Sequence, residues 1–120
     1  MHADHFETRL ARVRHRFATT LESKITDAVV SADHMTHDDS GVIKYISDSY
    51  RHLHSICGIG PTVGFTATGA AARAAEAALM QALREKRGLT EREVISLKKA
   101  LENLRAAASS ELRLMYQRGG

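Results

Sequence analysis

The chain has 120 residues, enough for one hydrophobic core and too few for two. With 43% apolar residues and a single proline it does not have the composition of a disordered chain, and one cysteine excludes an internal disulfide. The net charge of +3 is a mild excess in which basic residues alternate with Asp and Glu; without a basic–aromatic patch it argues against a nucleic-acid partner and steers at most toward an acidic protein surface.

The N-terminal segment places Phe6, Leu10, Val13, Phe17, Leu21, Ile25 and Val29 at spacings of three and four, one apolar stripe of a long amphipathic helix. Its "RLARVRHR" cluster reads as the solvated side of that helix. No apolar run reaches the roughly 18 residues a membrane span requires. The N-terminus carries Asp4, Glu7 and several arginines where a signal peptide would have an apolar core. The expectation is a single soluble, cytoplasmic domain over residues 1–120.

The polar stretch "SADHMTHDDSG", Ser31 to Gly41, reads as a connection, with Ser40 or Asp39 available to cap the next helix. From Val42 to about Ile59 the apolar positions Val42, Ile46, Tyr50, Leu53, Ile56 and Cys57 again repeat with a helical period. Gly60 and Pro61 stop this helix, because proline lacks an amide donor and clashes with the preceding turn. Phe65 to Arg87 is alanine-rich, a strong helix former whose small side chains permit close approach, and Gly88 stands where a helix terminator is expected. Thr90-Glu91-Arg92-Glu93 has the form of a capping box, and Val94, Leu97, Leu101, Leu104, Ala108, Leu112 and Met115 mark a last long stripe. No strand-like alternation occurs. Four helices joined by short links predict an all-α, antiparallel up-down-up-down four-helix bundle with a long N-terminal helix.

The stretch "HSICGIGPTVGF" puts a glycine four residues after His54, inside a helix, where it costs about 1 kcal/mol against alanine. At about 100° per residue, His54 falls about 80° from the centre of the core stripe at Ile46, on the border with solvent. Ser47, Arg51 and Gly58 share that border face, and His52 does not. Gly58 therefore either leaves a gap beside the imidazole or permits close packing against another helix. A neutral imidazole is nucleophilic near neutral pH, so a reachable ring with a cation one turn away can accept and release a phosphoryl group. The chain has no phosphate-cradling glycine loop and no carboxylate cluster for magnesium, so a partner would supply the remaining parts of such chemistry. As for metals, His54 with Cys57, and His34 with His37, are pairs; a structural zinc site takes four ligands, at a spacing this chain lacks.

His54, Gly58 and Gly64, together with the helix layout over nearly the whole chain, resemble the histidine-containing phosphotransfer (Hpt) domains. The resemblance implies a monomeric four-helix bundle that relays phosphate between aspartates of receiver domains, one of a hybrid histidine kinase and one of a response regulator. It implies that His54 is the phosphoacceptor, that Gly58 lets the receiver approach, that magnesium sits on the receiver, and that this chain needs no cofactor and has no kinase activity of its own. Many family members carry a lysine three residues after the histidine. Here that position is Cys57, which reads as a small core residue, and Arg51 is the cation left on the same side. The competing expectation is a helical adaptor that binds a kinase or receiver domain without carrying phosphate.

Overall fold

The computed structural model describes residues 2–36 and 40–118, with side chains over 7–36 and 41–118. Helix α1 spans His2–Ala32, α2 Ser40–Ile59, a short 3-10 turn Gly60–Val63, α3 Thr66–Glu85 and α4 Glu91–Gln117. No strand occurs among the described residues. Helix α1 packs on α2 and α4, and α3 packs on the same two, so the four helices form a closed ring in chain order.

Contacts at the two ends set the directions of the helices. At one end the Leu89 amide donates to the Met35 carbonyl at 2.7 Å, tying the link after α1 to the link before α4. Met35 is fully buried there. At the other end the Arg14 Nε donates to the Val63 carbonyl at 3.0 Å, and Glu111 reaches the start of α3. The chain therefore runs down, up, down and up, as the short links require. It forms an all-α four-helix bundle measuring 54 × 24 × 18 Å.

Leu21, Ile25, Val42, Ile46, Leu53, Ile56, Leu79, Leu97, Leu101 and Leu104 are buried at the centre. Each buried aliphatic side chain contributes roughly 1.5–3 kcal/mol of transfer free energy, which is what holds four amphipathic helices together. The stripe on α1 is shifted from its expected course. Val13 is 44% exposed and Val29 half-buried, while Ala18, Ala28 and Ala32 are buried. Leu10 is half-buried against the core, and the Phe6 side chain lies outside the described residues. The small alanines let the neighbouring helices come close, so burial follows them instead of the larger valines.

Burial of Ala32 also carries α1 two residues into the polar stretch, and α2 takes that stretch's last two, Ser40 and Gly41. The expected cap at Asp39 or Ser40 lies outside the described side chains.

The turn between α2 and α3 begins at Gly60 and Pro61, as the sequence suggests. The Phe65 amide donates back to the Gly60 carbonyl at 2.7 Å, and the Phe65 ring packs on Phe17 with centroids 5.0 Å apart. Phe65 offers no side-chain cap to α3. Glu111, from α4, caps it instead: its carboxylate accepts from the Thr68 amide at 2.7 Å, the Thr68 hydroxyl at 2.6 Å and the Ala67 amide at 3.2 Å. A carboxylate at a helix N-terminus both satisfies free amides and complements the helix dipole.

Gly88 does not terminate α3. That role falls to Lys86, whose backbone is left-handed at φ 54° and whose amide turns back to the Ala82 and Leu83 carbonyls. The Arg87 amide adds a bond to the Ala82 carbonyl, so the helix closes two residues before the glycine. The capping box forms as expected. The Thr90 hydroxyl accepts from the Glu93 amide at 3.1 Å, and the Glu93 carboxylate accepts from the Thr90 amide at 2.8 Å. Arg87 grips the same carboxylate through two donors at 2.7 and 3.1 Å, which holds the Glu93 carboxyl down at about 2.

Candidate functional site

Helix α2 buries Val42, Ile46, Ser49, Leu53 and Ile56 on one side. His54 follows Leu53 by one residue and so turns about 100° from the core, toward solvent and α3. Its side chain is 67% exposed. The imidazole is nevertheless held in place. Nδ1 lies 2.9 Å from Oε1 of Glu76 on α3, and the ring stacks on Tyr50, one turn earlier, with centroids 5.7 Å apart and planes 8° from parallel.

A carboxylate can only accept, so the proton of the neutral ring sits on Nδ1 and the lone pair on Nε2. The Glu76 carboxylate also lies close enough to Tyr50 that, with a smaller contribution from burial, it keeps the phenol above its ordinary range. The Glu76 side chain is only 14% exposed, so the imidazole meets it away from bulk water. His54, Glu76 and Tyr50 thus form one hydrogen-bonded and stacked cluster at the α2–α3 seam.

Gly58 stands one turn after His54 and is exposed, and a Cβ added there would meet nothing within 4 Å. This removes the close-packing reading of Gly58. The glycine that does serve close packing is Gly69, where an added Cβ would lie 2.7 Å from the Pro61 ring. Ser47 is half-buried two turns before His54. Arg51 is exposed on the same face, but its guanidinium is paired with Asp48. Cys57 is a free thiol, half-buried and packed against the core.

Gly64 is not part of this face. It closes the 3-10 turn with φ +93°, a left-handed backbone that favours glycine, and lines a cavity of about 440 Å³ with Arg14, Glu111 and Arg118 at the end of the bundle. His54 does not line that cavity, and the clefts running between α1 and α4 lie across the ring from the α2–α3 seam. The imidazole therefore stands on an outer surface, open to a protein-sized partner.

Sequence reasoning places His54 and Gly58 on this face but misses the two residues that orient the ring. Tyr50 reads as core from its spacing, yet it is half-buried and faces the imidazole. Glu76 does carry a signal: in the alanine-rich run of α3 it is the one carboxylate between Thr66 and Arg84. No group of three or more His, Cys, Asp or Glu suited to a metal occurs among the described residues, and no helix among them is long and apolar enough to cross a membrane. Comparison of the chain with family models, curated proteins and solved structures finds no match in any of the three.

Proposed function

We propose that this bundle is a phosphorelay intermediate of the histidine phosphotransfer type, with His54 as the residue that carries the phosphoryl group. The observation that supports this most is the combination of an exposed imidazole with a Glu76 carboxylate at its Nδ1, which leaves the lone pair on Nε2. In the forward step Nε2 attacks the phosphorus of an aspartyl phosphate on a receiver domain. The phosphorus–nitrogen bond forms as the phosphorus–oxygen bond to the aspartate breaks, and the carboxylate leaves with the electron pair. The ring keeps its Nδ1 proton and becomes a phosphoimidazolium, whose positive charge faces Glu76. The return step, to the aspartate of a second receiver, reverses each of these changes.

The open space at Gly58 gives the receiver room to bring its aspartate to the ring. Charge neutralisation at the phosphoryl oxygens falls to magnesium and cations on the receiver, with Arg51 available if it leaves Asp48; the Cys57 thiol supplies no charge of that sign. The reading carries with it a monomer working in the cytoplasm, with receiver domains of a hybrid histidine kinase and a response regulator as partners and no kinase activity of its own.

The test is incubation with a receiver domain phosphorylated with radiolabel. Wild type is expected to take up label that is acid-labile and base-stable, and His54→Gln none. Equal labelling of His54→Gln overturns the acceptor assignment. Binding of the receiver with no label on either protein would instead make the chain an adaptor.

A further inference from the structure

We infer that Tyr50 is a positioning residue for His54, fixing the imidazole plane through its stacked ring so that Nδ1 stays on the Glu76 carboxylate. The inference rests on the phosphorelay reading for its consequence, but its geometry is independent of it. The Glu76 carboxylate meets the imidazole Nδ1 at 2.9 Å, and that bond lasts only while the ring keeps its plane. The parallel stack, 8° between planes, opposes rotation of the ring about its bond to Cβ and so holds Nδ1 on the carboxylate. Spacing supplies the reason for the arrangement. Residues four apart on a helix lie one above the other, so Tyr50 sits directly beneath His54 on α2.

This cluster acts differently on the two states of the ring. Before transfer it holds the Nδ1–H form with Nε2 outward. After transfer the ring is a cation lying on the face of an aromatic ring and beside a carboxylate, and both contacts strengthen as the charge appears. Tyr50 therefore favours the phosphorylated state without touching phosphorus. No bond is made or broken at Tyr50, and its proton remains on oxygen throughout.

Two substitutions test the role of the ring: Tyr50→Phe keeps the stack, while Tyr50→Leu removes it. The full chain is labelled with 15N at histidine, and the ring-nitrogen shifts of His54 are read at neutral pH. It is then loaded with phosphoramidate, a small donor that needs no receiver, and the decay of phosphohistidine is followed. Wild type is expected to show the Nδ1–H form. Tyr50→Phe should behave as wild type. Tyr50→Leu should show mixed tautomers, a kcat for transfer to a receiver lowered about threefold with KM unchanged, and a phosphohistidine lifetime shortened about fivefold, as expected for a lost cation–aromatic contact. Wild-type tautomer and lifetime in Tyr50→Leu would overturn the inference, as would equal losses in Tyr50→Phe. The phosphorelay reading fails separately, if phosphoramidate-loaded wild type exchanges its phosphoryl group with no receiver domain, and the effect of Tyr50 on tautomer and lifetime stands in that case.

Discussion

Two glycines on packed helices should respond to the same substitution with opposite sign, and the contrast tests the access argument directly. Gly58 is the penultimate residue of α2, faces open space and has no positive φ. Alanine there recovers helix propensity without a clash, so Gly58→Ala should gain about 0.5–1 kcal/mol. At about 2.1 cal/mol/K per residue, a chain of this length has an unfolding entropy near 250 cal/mol/K, so that gain is a Tm increase of about 2–4 °C. Gly69 lies within α3, where an added Cβ would meet Pro61 ring carbons at 2.7 and 2.8 Å. The ring cannot yield as a flexible side chain would, and overpacking of this kind costs about 1–3 kcal/mol. Gly69→Ala should therefore lose about 1–2 kcal/mol, or roughly 4–8 °C, in spite of its better propensity.

Thermal unfolding followed by circular dichroism at matched concentration measures both. Loss of stability in Gly58→Ala would show that the space beside His54 is filled, and a gain in Gly69→Ala would show that Pro61 of the 3-10 turn does not pack against α3 at that position. The functional arm uses Gly58→Leu. The larger side chain should hinder a receiver domain but not a small donor, so receiver-mediated labelling should slow by about tenfold or more while phosphoramidate loading stays within about twofold. Unchanged receiver transfer would refute the claim that a gap at residue 58 serves access.

Replacing Glu111 by Ala removes the cap of α3 and leaves the buried Thr68 hydroxyl without its acceptor. A loss of about 2–3 kcal/mol in urea unfolding is expected, and a change under about 0.5 kcal/mol would mean that water caps this helix equally well. Acid should act through Glu93, whose carboxyl is held at about 2 by Arg87 and the Thr90 amide against an ordinary 4.5. A depressed folded-state value stabilises the fold above the unfolded value, so this contribution is complete above about pH 5 and declines as pH falls through 4.5 toward 2. With Glu93 partly open to solvent the contribution is about 1–2 kcal/mol, and Glu93→Gln should flatten the stability profile in that window; an unchanged acid slope would place the transition on other carboxylates.

The number of helices, their approximate limits, the stop at Gly60-Pro61 and the capping box at Thr90 were all legible in the chain, because each depends on residues within a few positions of one another. The border position of His54 was legible for the same reason: helical period alone sets it about 80° from the core stripe. Local pattern failed where a neighbouring helix decided the outcome. Lys86 ends α3 because its amide and that of Arg87 return to Ala82 and Leu83 while Arg87 is held by Glu85 and Glu93, an arrangement that leaves Gly88 with no terminating role. Val13 faces solvent, although it belongs to the periodic stripe, because α1 packs through its alanines.

The sequence by itself determined that amphipathic helices would close around an aliphatic core and that one histidine would lie at the rim, one turn before a glycine. Only the tertiary structure decided what that histidine does with its two nitrogens. Glu76 is 22 residues away and cannot be joined to His54 until α2 and α3 lie antiparallel in contact, whereas Tyr50, one turn before His54 on the same helix, reads as core by its spacing although its ring stacks on the imidazole. Periodicity reports which way a side chain points, but an imidazole acquires a preferred tautomer only from the group that meets it in space.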